Sequence, residues 1–185
     1  MKLPPELPDH LGRGKGKEPL THIDGGALRF VKKKFDIKSL IDVGCGSGGM
    51  VELAEQLGMT ALGIDGDFSF ERSIPFKLHD YQEGPFVPDD EYDLCYSCEF
   101  VEHVYEKYRQ NFFDTFKSAK YLLITHAPIG QGGYHHVNEQ PAEYWIDALE
   151  NDGWEYDAET TKEVREASTM RMFFMRENGL FFRKK

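Results

Sequence analysis

The chain has 185 residues, of which 40% are hydrophobic and 29% are charged, and this composition is ordinary for one globular domain with its own core. Its formal net charge of −10 argues against nucleic acid as a partner, because neutralising phosphates requires a basic face. No apolar run approaches the ~18 residues that cross a bilayer, and the N-terminus lacks the apolar stretch of a signal peptide. These features favour a protein that acts on a small molecule and exclude a membrane-spanning one.

The cysteines point to a reducing compartment. There are three of them, Cys45, Cys95 and Cys98, an odd number without the spacing of a disulfide framework. Cys95 and Cys98 form a C-x-x-C pair, but no second pair of ligands stands at a spacing suited to zinc. A redox dithiol opens a helix, whereas this pair ends a strand-like run. We therefore expect structural thiols and a cytoplasmic location.

Strand-like and helix-like segments alternate along the chain. Residues 1–20, rich in Pro, Gly and Lys, predict a flexible arm, and residues 21–185 predict a single domain. Strands are predicted at 39–44, 60–65, 76–80, 92–97, 120–127, 154–159 and 180–184. Helices are predicted at 25–35, 49–58, 101–119, 142–153 and 161–178, although MRMFFM at 170–175 would also suit a strand. The pattern indicates an α/β fold of the doubly wound type, with a mostly parallel seven-stranded sheet, helices on both faces, and 180–184 as an edge strand.

A glycine-rich loop, DVGCGSGG at residues 42–49, joins the first predicted strand to the second predicted helix. Such a loop places backbone N–H groups and the positive end of a helix beside a ligand. A P-loop is excluded because no Lys-Ser or Lys-Thr follows. Gly44, Gly46 and Gly49 match the G-x-G-x-x-G pattern of dinucleotide-binding proteins, and Asp65 stands where an acid binds ribose. The glycines alone therefore leave several cofactors open.

Asp42 distinguishes between these cofactors. It stands two residues before Gly44, where a dinucleotide fold usually keeps an apolar residue. A carboxylate there repels a pyrophosphate but attracts the ammonium and sulfonium groups of S-adenosylmethionine (SAM), which carries no phosphate. Asp42 therefore favours SAM over a nicotinamide dinucleotide.

Four motifs resemble those of the class I SAM-dependent methyltransferases, in the order of that family. They are IDVGCGSGGMVELA (41–54), LGID (62–65), LHDY (78–81) and YDLCYSCEFVEHV (92–104). A further segment, HHVNEQPAEYWIDALENDGW (135–154), is similar to one in small methyltransferases of bacteria and their phages. The resemblance implies a Rossmann-like fold, SAM as the cofactor and methyl transfer as the activity.

The resemblance also implies the residues of the cofactor site. Asp65 is expected to bind the ribose hydroxyls, and Asp80 the adenine amino group beside Tyr81. Gly66 is smaller than the residue that packs on the adenine in many relatives. The residues expected to bind the cofactor lie at or beyond the ends of predicted strands: Asp42, Gly44, Cys45, Gly46, Gly48, Asp65, Gly66, Asp80, Tyr81, Ser97, Glu99 and His103.

Several histidines follow the ends of predicted strands, where a parallel sheet binds its ligands. A hydroxyl acceptor must lose its proton, and histidine suits that task near its ordinary pKa of ~6.5. We expect His126 or His136 to act as the base, with His135 as a third candidate. Asn138 or Glu139 would orient the base or the acceptor. His103 is expected to form a wall of the cofactor pocket.

Other interpretations remain open. His126, His135 and His136 with Glu139 would offer ligands to a divalent ion, but adjacent histidines in an extended segment point to opposite sides, so no metal ligands are assigned. The leading hypothesis is methyl transfer to a small hydroxylated acceptor resembling a sugar or glycan. The alternatives are methylation of a protein or nucleic acid, nicotinamide-dependent oxidoreduction, and SAM binding without catalysis. The oligomeric state is not predicted.

Overall fold

The computed structural model describes residues 6–11 and 21–185. Most of the predicted N-terminal arm therefore lies outside the described residues. The helices are α1 (Gly25–Phe35), α2 (Gly49–Gln56), α3 (Arg109–Phe116), α4 (Ala142–Asn151), α5 (Ala158–Ala167) and α6 (Phe174–Asn178). The strands are β1 (Ser39–Val43), β2 (Thr60–Asp65), β3 (Phe76–Leu78), β4 (Tyr92–Ser97), β5 (Ala119–Ile124), β6 (Trp154–Tyr156) and β7 (Leu180–Lys184). Short 3-10 helices lie at Asp9–Leu11, Val101–His103 and Glu106–Tyr108.

All seven strands form one sheet in the order β3-β2-β1-β4-β5-β7-β6. Neighbours from β3 to β5 pair in parallel, whereas β7 is antiparallel to both β5 and β6. The predicted doubly wound, mostly parallel seven-stranded sheet is thus confirmed. The prediction of 180–184 as an edge strand is wrong, because β7 lies between β5 and β6. Phe181 packs into one core and Phe182 into the other, so this strand is covered on both faces as an interior strand is.

Two apolar cores cover the two faces of the sheet. Alternate side chains of β1 belong to different cores, Leu40 to one and Ile41 to the other, as the two-residue period of a strand requires. The core containing Leu40 is completed by α1, α2, α5 and α6. The core containing Ile41 is completed by α3 and α4, with Trp145 fully buried in it. The carboxyl ends of the parallel strands remain open for a site.

The helix predicted at 101–119 is shorter than expected. Two 3-10 turns precede α3, and Val104 between them has extended backbone angles (φ −106°, ψ 125°). The carbonyl oxygen of Glu102 accepts the N–H groups of Val137 (2.9 Å) and Asn138 (3.0 Å). Val137 and Asn138 therefore donate the hydrogen bonds that, in a continuous helix, the Glu102 carbonyl would accept from a residue one turn further on.

The helix predicted at 161–178 is also divided, into α5 and α6. Between them, Ser168 Oγ donates to Asp24 Oδ2 (2.5 Å), and Thr169 N donates to Asp24 Oδ1 (2.9 Å). Asp24 is also the N-cap of α1, since Oδ1 accepts the N–H of Ala27 at 3.0 Å. Residues 168–169 are therefore not helical, because they hydrogen-bond to the buried N-cap residue of α1. Among the described residues, no helix has both the length and the apolar character needed to cross a membrane.

Candidate cofactor and acceptor site

A cavity of about 560 Å³ opens at the carboxyl ends of β1, β2 and β4. This volume lies within the ~300–1,000 Å³ typical of small-molecule sites. Most residues predicted to bind the cofactor line it: Asp42, Gly44, Cys45, Gly46, Asp65, Gly66, Asp80, Tyr81, Glu99 and His103. The structure therefore brings together residues that lie on four different strand ends.

Gly48 and Ser97, also predicted to bind the cofactor, lie outside the cavity lining. Gly48 is the N-cap of α2 with φ 92°, and a Cβ there would meet Ile74 at 2.3 Å. Ser97 is fully buried, and its Oγ donates to the carbonyl of Val43 at 2.9 Å, which ties β4 to β1. Neither residue lines the cavity: Gly48 lies against Ile74, and Ser97 connects β4 to β1.

The glycine loop is held from the end of β2. Asp65 accepts the N–H groups of Gly46 and Asp67, each at 2.8 Å. Arg72, whose side chain is 2% exposed, donates to the carbonyls of Gly46 (2.6 Å) and Asp67 (2.8 Å), and its Nη2 lies 3.5 Å from Asp65 Oδ1. Burial raises the pKa of Asp65, while these N–H groups and Arg72 oppose the rise. These contacts fix the glycine loop to the end of β2.

Asp42 is the clearest sign of a cationic ligand. Its side chain is buried (2% exposed), and Oδ2 has no hydrogen-bond partner within the described part of the chain. Burial, and next the charge of Asp65, raise the pKa of Asp42 well above its ordinary value. A buried carboxylate without a donor is costly unless a proton or a cation meets it. The ammonium or sulfonium of SAM supplies such a cation, so the residues present fit this cofactor.

The far end of the cavity includes residues of the N-terminal segment. Asp80 Oδ2 lies 2.7 Å from His10 Nε2, and Asp80 Oδ1 accepts the N–H of Gln82 at 2.8 Å. A Cβ on Gly66 would lie 2.3 Å from Leu11 Cδ2. Leu11 therefore occupies the space that a larger side chain at position 66 would fill. Nothing in the local sequence around His10 and Leu11 indicated this contact.

Glu99 lies at the opposite end of the cavity in a left-handed conformation, with φ 52°. Such a conformation is uncommon outside glycine, so neighbouring contacts must stabilise it. Glu99 N donates to Thr125 Oγ1 at 2.8 Å, and its two carboxylate oxygens accept from Thr125 Oγ1 and Gln131 Nε2, each at 2.9 Å. Burial raises the pKa of Glu99. The side chain is thereby held at the cavity wall.

His136 lines the same end of the cavity. Its Nδ1 lies 3.0 Å from Glu139 Oε1. Glu139 also accepts the N–H groups of Gly130 (2.8 Å) and Gly132 (2.6 Å), and these contacts lower its pKa. Nε2 of His136 lies against Gly133, where a Cβ would come within 2.1 Å of it. Glu139 therefore orients the ring so that Nε2 is the nitrogen left for chemistry.

The other two histidines predicted as catalysts do not line the cavity. His126 is 2% exposed, neither ring nitrogen has a hydrogen-bond partner in the described ranges, and burial lowers its pKa to about 4. His135, at φ 54°, turns its ring towards Tyr105 and His10. The left-handed backbone of His135 turns its side chain away, so of these two adjacent histidines only His136 lines the cavity.

Glu102, which lies beside His103 and His136, was not predicted from the sequence as a site residue. It is fully buried, and neither carboxylate oxygen has a hydrogen-bond partner among the described residues. Burial, and next the charge of Glu99, raise its pKa well above the ordinary value. One ligand-type atom from each of Glu102, His103 and His136 lies within 4.8 Å of the other two. The sequence feature that points to Glu102 is the E-x-x-E-H spacing of residues 99–103, just after β4.

The mouth of the cavity has apolar side chains from the C-terminal part. Met172, Phe173 and Phe174 line it together with His22, whose ring meets that of Phe174 edge-on at 4.9 Å. Met172 and Phe173 remain 40% and 38% exposed. Tyr134 also lines the cavity and is 37% exposed. This opening of the cavity is therefore lined mainly by apolar side chains.

The sheet order, the glycine loop and the acidic strand ends define a class I SAM-dependent methyltransferase. The chain belongs to the methyltransferase domain family, because a profile of that family matches residues 21–160. A search of curated protein sequences finds no match. The predicted family and SAM as its cofactor are thereby confirmed.

Solved structures with the same fold come from several methyltransferases. The sugar N-methyltransferase KedS8 from Streptoalloteichus sp is 13% identical, with a TM-score of 0.65 over 100% of this chain and 95% of that one. The magnesium protoporphyrin IX methyltransferase of Synechocystis, solved with bound SAM, is 16% identical, with a TM-score of 0.58 over 85% of this chain and 76% of that one. A TehB-like SAM-dependent methyltransferase from Corynebacterium glutamicum is 17% identical, with a TM-score of 0.58 over 86% and 88%. At these identities the likeness shows the fold.

Proposed function

We propose that the protein transfers the methyl group of SAM to a hydroxyl of a small, sugar-like acceptor. The observation that carries this proposal is that one cavity holds both Asp42, whose Oδ2 has no hydrogen-bond partner among the described residues, and the imidazole of His136 oriented by Glu139. The first suits a cationic methyl donor, and the second suits a hydroxyl that must lose its proton.

The residues of the chain have separate tasks in this reaction. When bound, SAM supplies an electrophilic methyl group on a sulfonium, which an acceptor oxygen takes by in-line displacement. Asp42 neutralises the cationic end, and the acids at the ends of β2 and β3 hold the nucleoside. His136 Nε2 is the simplest recipient of the hydroxyl proton, because Nδ1 is engaged by Glu139. Holding the two reactants in line and dry supplies most of the acceleration.

The walls of the cavity support a sugar-like acceptor. Tyr134, Met172 and Phe173 offer apolar surface to a ring face, while Glu99 and Gln131 offer an acceptor and a donor for hydroxyl groups. One neighbour in fold is a sugar N-methyltransferase, which agrees with a sugar-like acceptor. The net charge of −10 argues against a nucleic-acid acceptor.

Transfer of labelled methyl from SAM to a panel of glycosides, amino sugars, peptides and RNA tests the proposal. We expect product with glycosides carrying free hydroxyls. His136→Ala should lower kcat on the order of 100-fold or more, with unchanged SAM affinity in calorimetry. Methylation confined to amines, peptides or RNA would contradict the hydroxyl acceptor. SAM binding without transfer to any of them would indicate a binding module.

Two further proposals concern the chain as a whole. The described cysteines are all free thiols, which supports a cytoplasmic location. Residues 21–185 as a single domain, preceded by an arm, also remain a proposal. The two cores on one continuous sheet support it.

A further inference from the structure

Three metal-ligating side chains converge beside the cavity: His103 and His136, which line it, and Glu102, which is buried next to them. Glu102 is fully buried, and both of its carboxylate oxygens lack a hydrogen-bond partner in the part of the chain that the structure describes. A carboxylate removed from water and unmet by any donor is a strong ligand for a positive charge. Asp42 is the expected partner of the methyl donor's cation, whereas Glu102 lies at a separate place, beside His103 and His136.

We propose that Glu102, His103 and His136 bind a divalent transition-metal ion such as Mn²⁺ or Zn²⁺. Two imidazoles and one carboxylate suit these ions, and a set of three protein ligands leaves positions open for oxygen atoms of water or substrate. The ligand atoms already lie within 4.8 Å of one another, so small side-chain movements bring them onto one ion. The proposal rests on the proposed function only for the ion's role in the reaction.

The surroundings of His136 are those of a metal ligand. A histidine that binds a metal usually donates its other ring N–H to a carboxylate, which fixes the tautomer and the ring orientation. His136 Nδ1 lies 3.0 Å from Glu139 Oε1, which leaves Nε2 for the ion. Glu139 is itself fixed by the N–H groups of Gly130 and Gly132. This arrangement is an observation independent of the buried Glu102.

The backbone also holds the ligands together. The carbonyl of Glu102 accepts the N–H groups of Val137 and Asn138, so the segment carrying His136 is fastened to the segment carrying Glu102 and His103. The ring centroids of His103 and His136 are 4.9 Å apart. Two segments separated by about thirty residues therefore present their ligands in one rigid unit.

Glu99 stands three residues before Glu102 but is engaged elsewhere. Its two carboxylate oxygens accept hydrogen bonds from Thr125 Oγ1 and Gln131 Nε2. Glu102 is therefore the carboxylate available to the ion.

The ion would act on the acceptor in a definite way. An acceptor with two neighbouring oxygens, such as a vicinal diol, fills the open positions, and the ion lowers the pKa of the bound hydroxyl. That proton passes to the Glu99 carboxylate, the oxygen forms its bond to the methyl carbon, and the carbon–sulfur electron pair stays on sulfur. This route replaces the metal-free step proposed above: with the ion bound, Glu99 takes the proton in place of His136, and His136 is a ligand.

Metal binding to untagged, chelator-treated protein without SAM tests the site directly. Titration with Mn²⁺ followed by paramagnetic resonance, and competition by Zn²⁺, should show one ion per chain. Glu102→Ala, His103→Ala and His136→Ala should each abolish stoichiometric binding. Glu139→Gln should weaken it about 10- to 100-fold, because Glu139 only orients a ligand. Glu106→Gln, at an exposed acid near the site, is the matched control and should bind as wild type.

The controls separate this inference from the proposed function. Glu102→Gln keeps the shape of the buried side chain but removes the carboxylate, so the variant should remain folded while losing metal. Failure of wild type to bind Mn²⁺ or Zn²⁺, or unchanged binding by the Glu102 and His103 variants, would overturn the site. Full activity on glycosides after chelation would overturn the ion's role and leave hydroxyl methylation standing. Stoichiometric metal binding without any methyl transfer would support the site and overturn the proposed function.

Discussion

His10 Nε2 lies 2.7 Å from Oδ2 of Asp80, a contact between two residues that are 70 positions apart. It places the N-terminal segment against the end of the cavity where Asp80 is expected to meet the adenine. Leu11 follows directly and fills the space over Gly66. The segment thus contributes a polar and an apolar side chain to the wall of the cofactor site.

Leu11→Ala and His10→Ala should each weaken SAM binding about 5-fold, corresponding to roughly 1 kcal/mol for one lost contact. Calorimetric titration with SAM and S-adenosylhomocysteine measures the effect. Glu6→Ala, at an exposed position of the same segment, is the control and should bind as wild type. Equal affinity in all three variants would show that the segment does not wall the nucleoside.

Asp42→Asn should separate stability from binding. The folded protein favours protonated Asp42, because burial raises its pKa above that of the unfolded chain. Stability is therefore greatest at low pH and falls as the pH rises from the ordinary range of aspartate towards the raised value. Because asparagine does not ionise, the Asp42→Asn variant does not lose stability in this way as the pH rises. We expect the ligand-free variant to unfold at a higher urea concentration than wild type at pH 8.

The same variant should bind SAM at least 10-fold more weakly, because the ammonium or sulfonium loses a charged partner worth about 1.5–3 kcal/mol. Calorimetry on the folded variant measures this loss directly. A variant that binds SAM as tightly as wild type would remove Asp42 from the cofactor site.

Arg72→Lys should loosen the glycine loop. Arg72 spans two carbonyls, those of Gly46 and Asp67, and its guanidinium lies over the rings of Phe70 (4.0 Å) and Phe76 (4.1 Å). A lysine has no planar fork to reproduce this arrangement. We expect a loss of about 3 kcal/mol in the free energy of unfolding, as for the breaking of a buried ionic contact, and weaker SAM binding. Urea denaturation measures the first, and Lys38→Arg at an exposed site is the control.

His126→Leu should reduce the acid sensitivity of the fold. Burial lowers the pKa of His126 to about 4, so its contribution to stability is present above the ordinary histidine value and is lost as the pH falls from ~6.5 towards 4. At pH 5 the wild type should lose roughly 2 kcal/mol through this residue. Urea denaturation at pH 7.5 and pH 5 should show a smaller difference for the variant. Turnover at pH 7.5 should persist, since His126 lies outside the cavity lining.

The predicted and observed elements differ where distant segments compete with local periodicity. The spacing of apolar residues correctly indicated α1 and α4, whose bounds depend on contacts within each helix and one packed face. It failed at 101–119, where the carbonyl of Glu102 bonds to Val137 and Asn138. It failed again at 161–178, where Ser168 and Thr169 bond to Asp24. In both places the partner lies more than thirty residues away and leaves no local signal.

The sequence by itself determined the fold class and indicated which acidic residues gather at one edge of the sheet. Asp42, Asp65 and Asp80 stand at or just beyond the carboxyl ends of successive parallel strands, and because such strands end at one edge of a sheet, their order along the chain places them together. Only the tertiary structure decided which histidine lines the cavity and which residue covers Gly66. His136, rather than His126 or His135, reaches the cavity because backbone bonds to Glu102 hold its segment there, and Leu11 reaches Gly66 across the chain. Such contacts depend on how distant segments close on each other, which local periodicity does not encode.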